Sequence, residues 1–464
     1  MSVRHVVVIG AGVAGLAAAY ALRRSDPELA VTVLEGSGRP GGKLHTSPVA
    51  GVPVDAGAEA FLARVPEAVE LAAALGLPTT HPATSAAGVV VAGQPRPLPA
   101  GTVMGVPADL AALDGVLSPA GVARARAERP RPPLAPGVDV AIGGYVADRL
   151  GHEVVDRLVD PLLGGVYAGH ARALSLRATV PALATAAERY PTLREAAAAA
   201  LPPARTDAAL SPSQPPVFAT VPGGLSRLVD ALVAAAGADL RLNLPARELH
   251  RTPAGFRVVA GPVPDPTELH ADAVVVAVPA RPASRLLAGV VPAAATELAA
   301  IEYASMALVT LALPAAAAER LTGSGLLVPA VENRMVKALT WTSLKWAHLA
   351  GEYCFVRASI GRHGEEAVLQ RDDAELVAAA RADLAALTGV DAVPVDTRVS
   401  RWGGALPQYA PGHLDRVRRL REAVAAVPGL AVAGAAYEGV GIPACVRSGY
   451  AAATHLSSQL SRSG

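Results

Sequence analysis

Little in this chain of 464 residues can build a disulfide scaffold, a metal cluster or an aromatic binding face. Its two cysteines, Cys354 and Cys445, form no CxxC pair, so a reducing, cytoplasmic location is expected. No His/Cys group has metal-ligand spacing, and neither a Ser-His-Asp arrangement nor a cysteine nucleophile suggests itself. Aromatic residues make up only 3%, too few for a stacking platform for sugars or single-stranded nucleic acid. Lysine is almost missing: Lys43, Lys337 and Lys345 stand alone among 41 basic residues. With a net charge of +1 and no long basic block, nucleic acid is excluded as a partner. Mean hydropathy is high at +0.35, mostly through alanine. No apolar run reaches the roughly 18 residues that span a bilayer. The start, Met1 to His5, offers no cleavable signal pattern before the first strand. The expectation is a soluble protein, with contact to a membrane surface left open.

What the chain does have is concentrated between residues 6 and 59. Val6-Val7-Val8-Ile9 runs into Gly10-Ala11-Gly12-Val13-Ala14-Gly15, an alanine-rich stretch follows, and Val31-Thr32-Val33-Leu34 ends in Glu35. Strand, glycine turn, helix, strand and acid in that order predict the first βαβ unit of a dinucleotide-binding fold. Gly10 permits the tight turn, Gly12 lets backbone approach a pyrophosphate, and Gly15 draws helix and strand together. The N–H groups from Val13 and Ala14 onward then face the phosphates. Glu35 can accept hydrogen bonds from a ribose diol and would repel the extra phosphate of NADP, leaving FAD or NAD.

Two proline-rich passages, Arg129 to Gly137 and Leu201 to Pro216, read as exposed connections. Between them Asp139 can cap a helix, and Val154, Val155, Leu158, Val159 and Leu162 repeat at helical spacing. Residues 100–210 are therefore expected to form a helical insertion. Beyond it, Phe218 to Leu228 reads as strand, glycine turn and helix start, and Ala271 to Pro279 as a buried strand. From about 285 to 395 short strands such as Met306 to Leu311 and Tyr353 to Ala358 predict an antiparallel-sheet substrate domain. Gly429 to Gly449 predicts a strand, a glycine-rich turn and a helix beginning near Pro443, whose positive end suits a reduced, negatively charged flavin.

Glu35-Gly36-x2-Arg39-x-Gly41-Gly42-Lys43 and Asp55-Ala56-Gly57 resemble the flavoproteins of the amine oxidase and protoporphyrinogen oxidase type. Lys43 stands where that family more often has Arg, replacing a bidentate fork with a point charge. Asp160 to Gly169, Leu174 to Pro181, and Arg401 to His413 with its Pro-Gln-Tyr-x-x-Gly-His run resemble the porphyrinogen oxidases of haem biosynthesis. The likeness extends over essentially the whole chain. It is greatest to the oxygen-dependent coproporphyrinogen III oxidases of Gram-positive bacteria, with protoporphyrinogen IX oxidase as the runner-up. Flavin amine oxidases and non-catalytic lipid-escort proteins of the same fold are the remaining alternatives.

The resemblance implies an α/β fold: a Rossmann-like FAD-binding domain in three pieces (1–85, 217–284 and 396–464), the helical insertion at 100–210 and the substrate domain at 285–395. It implies oxidation of a porphyrinogen with O2 as acceptor and hydrogen peroxide as by-product. It also implies FAD held by Gly10, Gly12, Val13, Ala14, Gly15, Glu35, Gly36, Arg39, Gly42, Lys43, Gly57, Ala58, Glu59, Ala246, Trp402, Gly434, Gly441, Ile442 and Pro443. Arg64, Tyr167, Arg177 and His413 are candidate substrate contacts, each with a packing or surface role as the alternative. Lys337 and Lys345 are candidates for binding carboxylates, and Cys445 reads as a small buried hydrophobe. No catalytic base is required, because the electron-rich porphyrinogen supplies much of the reactivity once positioned. A ferrochelatase is a further partner expectation, without a docking motif to support it.

Overall fold

Four consecutive apolar residues, Val6 to Ile9, can be buried on both faces only in the middle of a parallel sheet, and the computed structural model, which describes residues 4–201 and 216–461, places them there. Five parallel strands run edge to edge in the order Asp239–Arg241, Ala30–Leu34, His5–Ile9, Ala273–Val276 and Leu430–Val432. Pieces from both ends and the middle of the chain thus make one nucleotide-type sheet. A three-stranded antiparallel sheet, Ala246–Thr252, Gly255–Ala260 and Thr267–Ala271, packs its Leu249, Phe256 and Val258 against the face that carries Val7 and Val274.

The opposite face is covered by the first helix, Val13–Ser25, and the last, Ile442–Leu460. These two come closest at Gly449, where backbone meets backbone. A Cβ at Gly449 would lie 2.2 Å from the Ala14 carbonyl oxygen and 3.0 Å from the Ala18 nitrogen.

A second sheet of seven strands runs in the order Asp396–Pro407, Tyr303–Pro314, Tyr353–Ile360, Val336–Trp341, Gly325–Leu327, Ala87–Val91 and Gln94–Pro97. The expected antiparallel character needs one amendment, since Ala87–Val91 pairs parallel with Gly325–Leu327. Two expected boundaries also move. Asp396–Pro407, assigned from sequence to the nucleotide domain, is the edge strand of this second sheet, and the unassigned stretch after residue 85 supplies its other edge. Strand pairing between residues about a hundred and well over two hundred apart leaves no local trace in composition, which is why these junctions are not legible in the sequence.

The insertion carries helices at Pro119–Arg126 and, after an irregular stretch, from Ile142 to Ala200, with the short strands Thr102–Val103 and Val106–Pro107 ahead of them. Its core includes Val154, Val155, Leu158 and Val159 as expected, with Leu163 in place of Leu162, which is only half-buried. Asp139 does not cap the next helix as expected: its carboxylate accepts from the Ser175 hydroxyl at 2.6 Å and from the Arg177 and Gly412 N–H groups at 3.2 and 2.8 Å. The passage from Arg129 to Gly137 is exposed and irregular. Most of the second proline-rich passage lies outside the described residues.

Because Gly449 meets backbone, Gly449→Ala is expected to cost about 3 kcal/mol through overpacking. Gly144→Ala, on an exposed helical position with nothing within 4 Å, is expected to stabilise by about 0.5 kcal/mol. Thermal unfolding of the two holoprotein variants in parallel measures both signs.

Candidate cofactor and substrate site

The three glycines of the opening turn are required for different reasons. A Cβ at Gly10, whose φ is +106°, would stand 2.7 Å from the Ala277 carbonyl, and one at Gly15 would stand 2.0 Å from the Gly10 carbonyl. Protein packing alone fixes those two. A Cβ at Gly12 would meet nothing within 4 Å, so no atom of the described residues accounts for its missing side chain. The first helix begins there with no side-chain cap, leaving the N–H groups at Val13 and Ala14 for an outside acceptor. Open space above uncapped donors is what a dinucleotide pyrophosphate needs.

Glu35 lies beside this turn. Its Oε2 accepts from the Ala11 N–H at 3.0 Å and its Oε1 from the Ser37 N–H and hydroxyl, each at 2.8 Å. Gly36 leaves room for Pro245, 3.2 Å from where a Cβ would be, which brings Ala246 to the same end of the site. The second glycine pair is stitched to the first: Gly41 N–H donates to the Ala11 carbonyl at 2.8 Å, and a Cβ on Gly42 would be 3.3 Å from the Gly12 Cα. The Arg39 guanidinium closes that loop through the Gly42 carbonyl at 2.9 Å and lies 5.8 Å from the Trp402 ring.

Lys43 is the anomaly. Among the described residues its ammonium has no hydrogen-bond or ion-pair partner, and burial lowers its pKa while the nearby Cys445 thiol opposes that fall. An unpaired cation between the first glycine loop and the last helix suits an anionic cofactor edge. Cys445 itself is buried, with its pKa pushed up to about 11 by burial, so it is a neutral thiol.

The next edge is built by residues 55 to 59. Burial pushes the Asp55 carboxyl up to about 6 even though it accepts from the Thr46 hydroxyl at 2.6 Å and the Leu225 N–H at 2.9 Å. Ala58 N–H donates to the Lys43 carbonyl at 3.1 Å. Trp402 donates its indole N–H to the Ala56 carbonyl at 2.8 Å and lies against Gly57. Glu59, expected at the cofactor, has its carboxylate taken by Lys345 at 2.5 Å and Arg357 at 2.6 Å. Lys345 therefore does bind a carboxylate, but an internal one. Lys337 does not: its ammonium is buried, donates to the Gly361 carbonyl at 2.7 Å, and burial drives its pKa down to about 7.

The C-terminal turn is braced by the Pro-Gln-Tyr-x-x-Gly-His run. Tyr409 donates its hydroxyl to the Ala435 carbonyl at 2.5 Å and accepts from the Gly439 N–H at 3.0 Å. His413, 3% exposed, stacks on Tyr409 at 4.0 Å and donates Nε2–H to the Tyr437 carbonyl at 2.8 Å. Gln408 donates to the Tyr167 carbonyl at 2.8 Å, where Gly169 leaves no room for a Cβ. The turn so held ends at Gly441, Ile442 and Pro443, again a helix start without a side-chain cap. Gly434, with φ +130° and nothing within 4 Å of its Cβ position, faces open space.

His413 is therefore a brace and not a substrate contact, since its ring is consumed by stacking and by a main-chain bond. Tyr167 is buried against Tyr409, 5.5 Å between rings, which favours packing over substrate contact. Arg177 donates to the Gly137 carbonyl at 2.9 Å and ties the insertion to its own linker. Arg64 is exposed and has no hydrogen-bond or ion-pair partner among the described residues, so its guanidinium stays available to a ligand.

Burial lowers the His413 pKa to about 4, partly offset by the Tyr437 carbonyl. The folded state thus resists protonation: this stability is complete above the ordinary value of 6.5 and is lost as pH falls towards 4. About 3 kcal/mol is at stake. Unfolding midpoints at pH 7.5 and 4.5 should show a loss that shrinks by about that amount in His413→Gln. Tyr409→Phe, which frees the Ala435 and Gly439 groups, should weaken FAD binding about 10- to 100-fold by flavin fluorescence titration.

The model of the flavin-containing amine oxidoreductase family matches residues 13–457. A coproporphyrinogen III oxidase of Mycobacterium leprae is 40% identical over 472 residues and covers 100% of both chains. The Bacillus subtilis enzyme of that name is 32% identical over 469 residues, 97% of each chain. A crystal structure from Exiguobacterium sp. 255-15, with a provisional protoporphyrinogen oxidase name, superposes with TM-score 0.85 at 30% identity, over 99% of this chain and 100% of that one. Two uncapped helix starts around an unpaired lysine, together with these full-length likenesses, place the chain in the flavin-containing amine oxidoreductase family.

Proposed function

We propose that this protein oxidises coproporphyrinogen III to coproporphyrin III. The cofactor is FAD, as the family and the cradle agree. In three rounds six hydrogens leave the macrocycle, and three O2 become three hydrogen peroxide. When bound, FAD supplies a two-electron acceptor for a hydride from a meso carbon and returns those electrons to O2.

The protein's part is position and charge. The N–H groups at Val13 and Ala14 would hold the pyrophosphate, and Glu35 a ribose. Lys43 and the start of the last helix would set positive charge where the ring gains electrons. Trp402, braced on Ala56, would form one wall and the helix Asp160–Tyr167, with Val166 exposed, another. Arg64 is the residue proposed to meet a propionate. No group is positioned as an obligatory base, because imine–enamine tautomerisation carries unsaturation round the ring.

The observation that carries the reading is the coupling of the family-distinguishing segments. The Asp160–Gly169 and Leu174–Pro181 stretches are joined to the flavin-facing turn through Gln408, Tyr409 and Asp139. A porphyrinogen site on the insertion and a flavin site on the C-terminal turn would then be built as one unit. Protoporphyrinogen IX is the second reading, kept by the name of the Exiguobacterium structure. Delivery of product to a ferrochelatase, and a cytoplasmic location with peripheral membrane contact, belong to the same proposal. Among the described residues no helix is long and apolar enough to cross a membrane.

Oxidation rates for coproporphyrinogen III and protoporphyrinogen IX, followed in parallel by porphyrin fluorescence, should favour the first by at least tenfold in kcat/KM. Preference for the second overturns the substrate assignment. Arg64→Gln should raise KM for coproporphyrinogen about tenfold and leave kcat nearly unchanged.

A further inference from the structure

Three charged side chains meet where the two sheets join, and the cofactor cradle does not use them. Glu59 comes from the loop that ends the FAD-edge segment, while Lys345 and Arg357 come from the second sheet and its connection. Their side chains are 15%, 17% and 8% exposed. Arg357 has two tasks: one Nη donates to Glu59 at 2.6 Å and the other to the Gly57 carbonyl at 2.7 Å. The same guanidinium thus holds the acid and the peptide against which Trp402 packs.

A further donor, its Nε–H, is buried and has no acceptor among the described residues. A buried guanidinium donor without a partner marks a place where an outside acceptor or a water belongs. The Lys345 ammonium lies 5.6 and 5.2 Å from the Phe218 and Trp346 rings, so its position is fixed by more than the ion pair. Burial by itself would push the Glu59 carboxyl up, yet Lys345 and Arg357 outweigh it and hold the group at about 2. The acid is ionised throughout any working pH.

We infer that Glu59, Lys345 and Arg357 form a charge cluster that sets the reduction potential of the bound flavin, the two cations favouring the reduced ring and the acid moderating them. Two electrons and one proton convert the oxidised ring into a reduced ring with one negative charge. Fixed charges at the Gly57 edge act on that difference through space, weakly screened in a buried site. These are positioning residues and take no proton from substrate. The inference rests on FAD as cofactor and is independent of which porphyrinogen is oxidised.

The test is the two-electron reduction potential of the purified, FAD-loaded protein, measured by reductive titration against a reference dye without porphyrinogen. Lys345→Met should move the potential negative and Glu59→Gln positive. Each is expected to change the preference for reduced over oxidised cofactor about tenfold, equivalent to about 30 mV. Lys345→Arg should stay near the parent value. A purely structural ion pair predicts something else: lost FAD affinity or lower unfolding temperature in both variants, with no opposed shifts. Shifts of the same sign, or none in variants that retain FAD, overturn the inference. Should either single variant fold poorly, the charge-neutral pair Glu59→Gln with Lys345→Met restores the charge difference, and its potential should return to within about 10 mV of the parent. Failure to return also overturns it.

Discussion

Direct backbone contact between the first and last helices is the constraint on which this molecule depends. The helices lie so close that Gly449 has no space for a methyl group against Ala14. That approach brings Cys445, near the start of the last helix, beside Lys43, which follows the glycine pair stitched to the opening turn. Two positive helix ends and one ammonium without a partner among the described residues then lie near the open space beside Gly12. Residues more than four hundred apart in the chain supply it jointly. The alanine that dominates the composition is the same solution at larger scale: Ala14, Ala17, Ala18, Ala452 and Ala453 are all buried at this contact. Small side chains allow close helices and cost little rotamer entropy on folding.

Charge is handled sparingly and locally. With three lysines in the chain, each has a distinct setting: Lys43 unpaired at the cradle, Lys345 paired with Glu59, and Lys337 buried against a carbonyl. The buried Glu59 carboxylate keeps its charge because the attraction of its two cations exceeds the desolvation cost, whereas Asp55, a few residues away, has hydrogen bonds and only a lesser pull from Arg357 and is pushed up by burial. Neighbouring carboxyls on one loop are thus separated by about four pKa units, and the difference arises in the second sheet.

Much of the fold was legible because its signals are local. The β-branched run before Gly10, the acid at residue 35, the buried strand Ala273–Val276 and the helix opening near Pro443 each depend on a few adjacent residues. The 160–181 and 401–413 segments are distinctive in sequence, which leaves a ligand contact and a packing role both open for His413 and Tyr167. Polar and aromatic residues in a distinctive run suit chemistry and core packing alike. The structure favours packing for both: the His413 ring stacks on Tyr409, and the Tyr167 ring lies tilted against it. Arg357 carried no signal at all: an arginine inside an apolar strand announces neither its partner nor its orientation.

By itself the sequence determined the period of each element, the positions where only glycine fits a turn, and the family to which those local patterns belong. Only the tertiary structure decided which distant residues became partners. Glu59 finds Lys345 and Arg357 across 286 and 298 residues, and Gln408 finds Tyr167 across 241. Local patterning is written in neighbouring side chains and can be read from them. A long-range pairing depends on the whole path of the chain between its ends, which no short window of residues encodes.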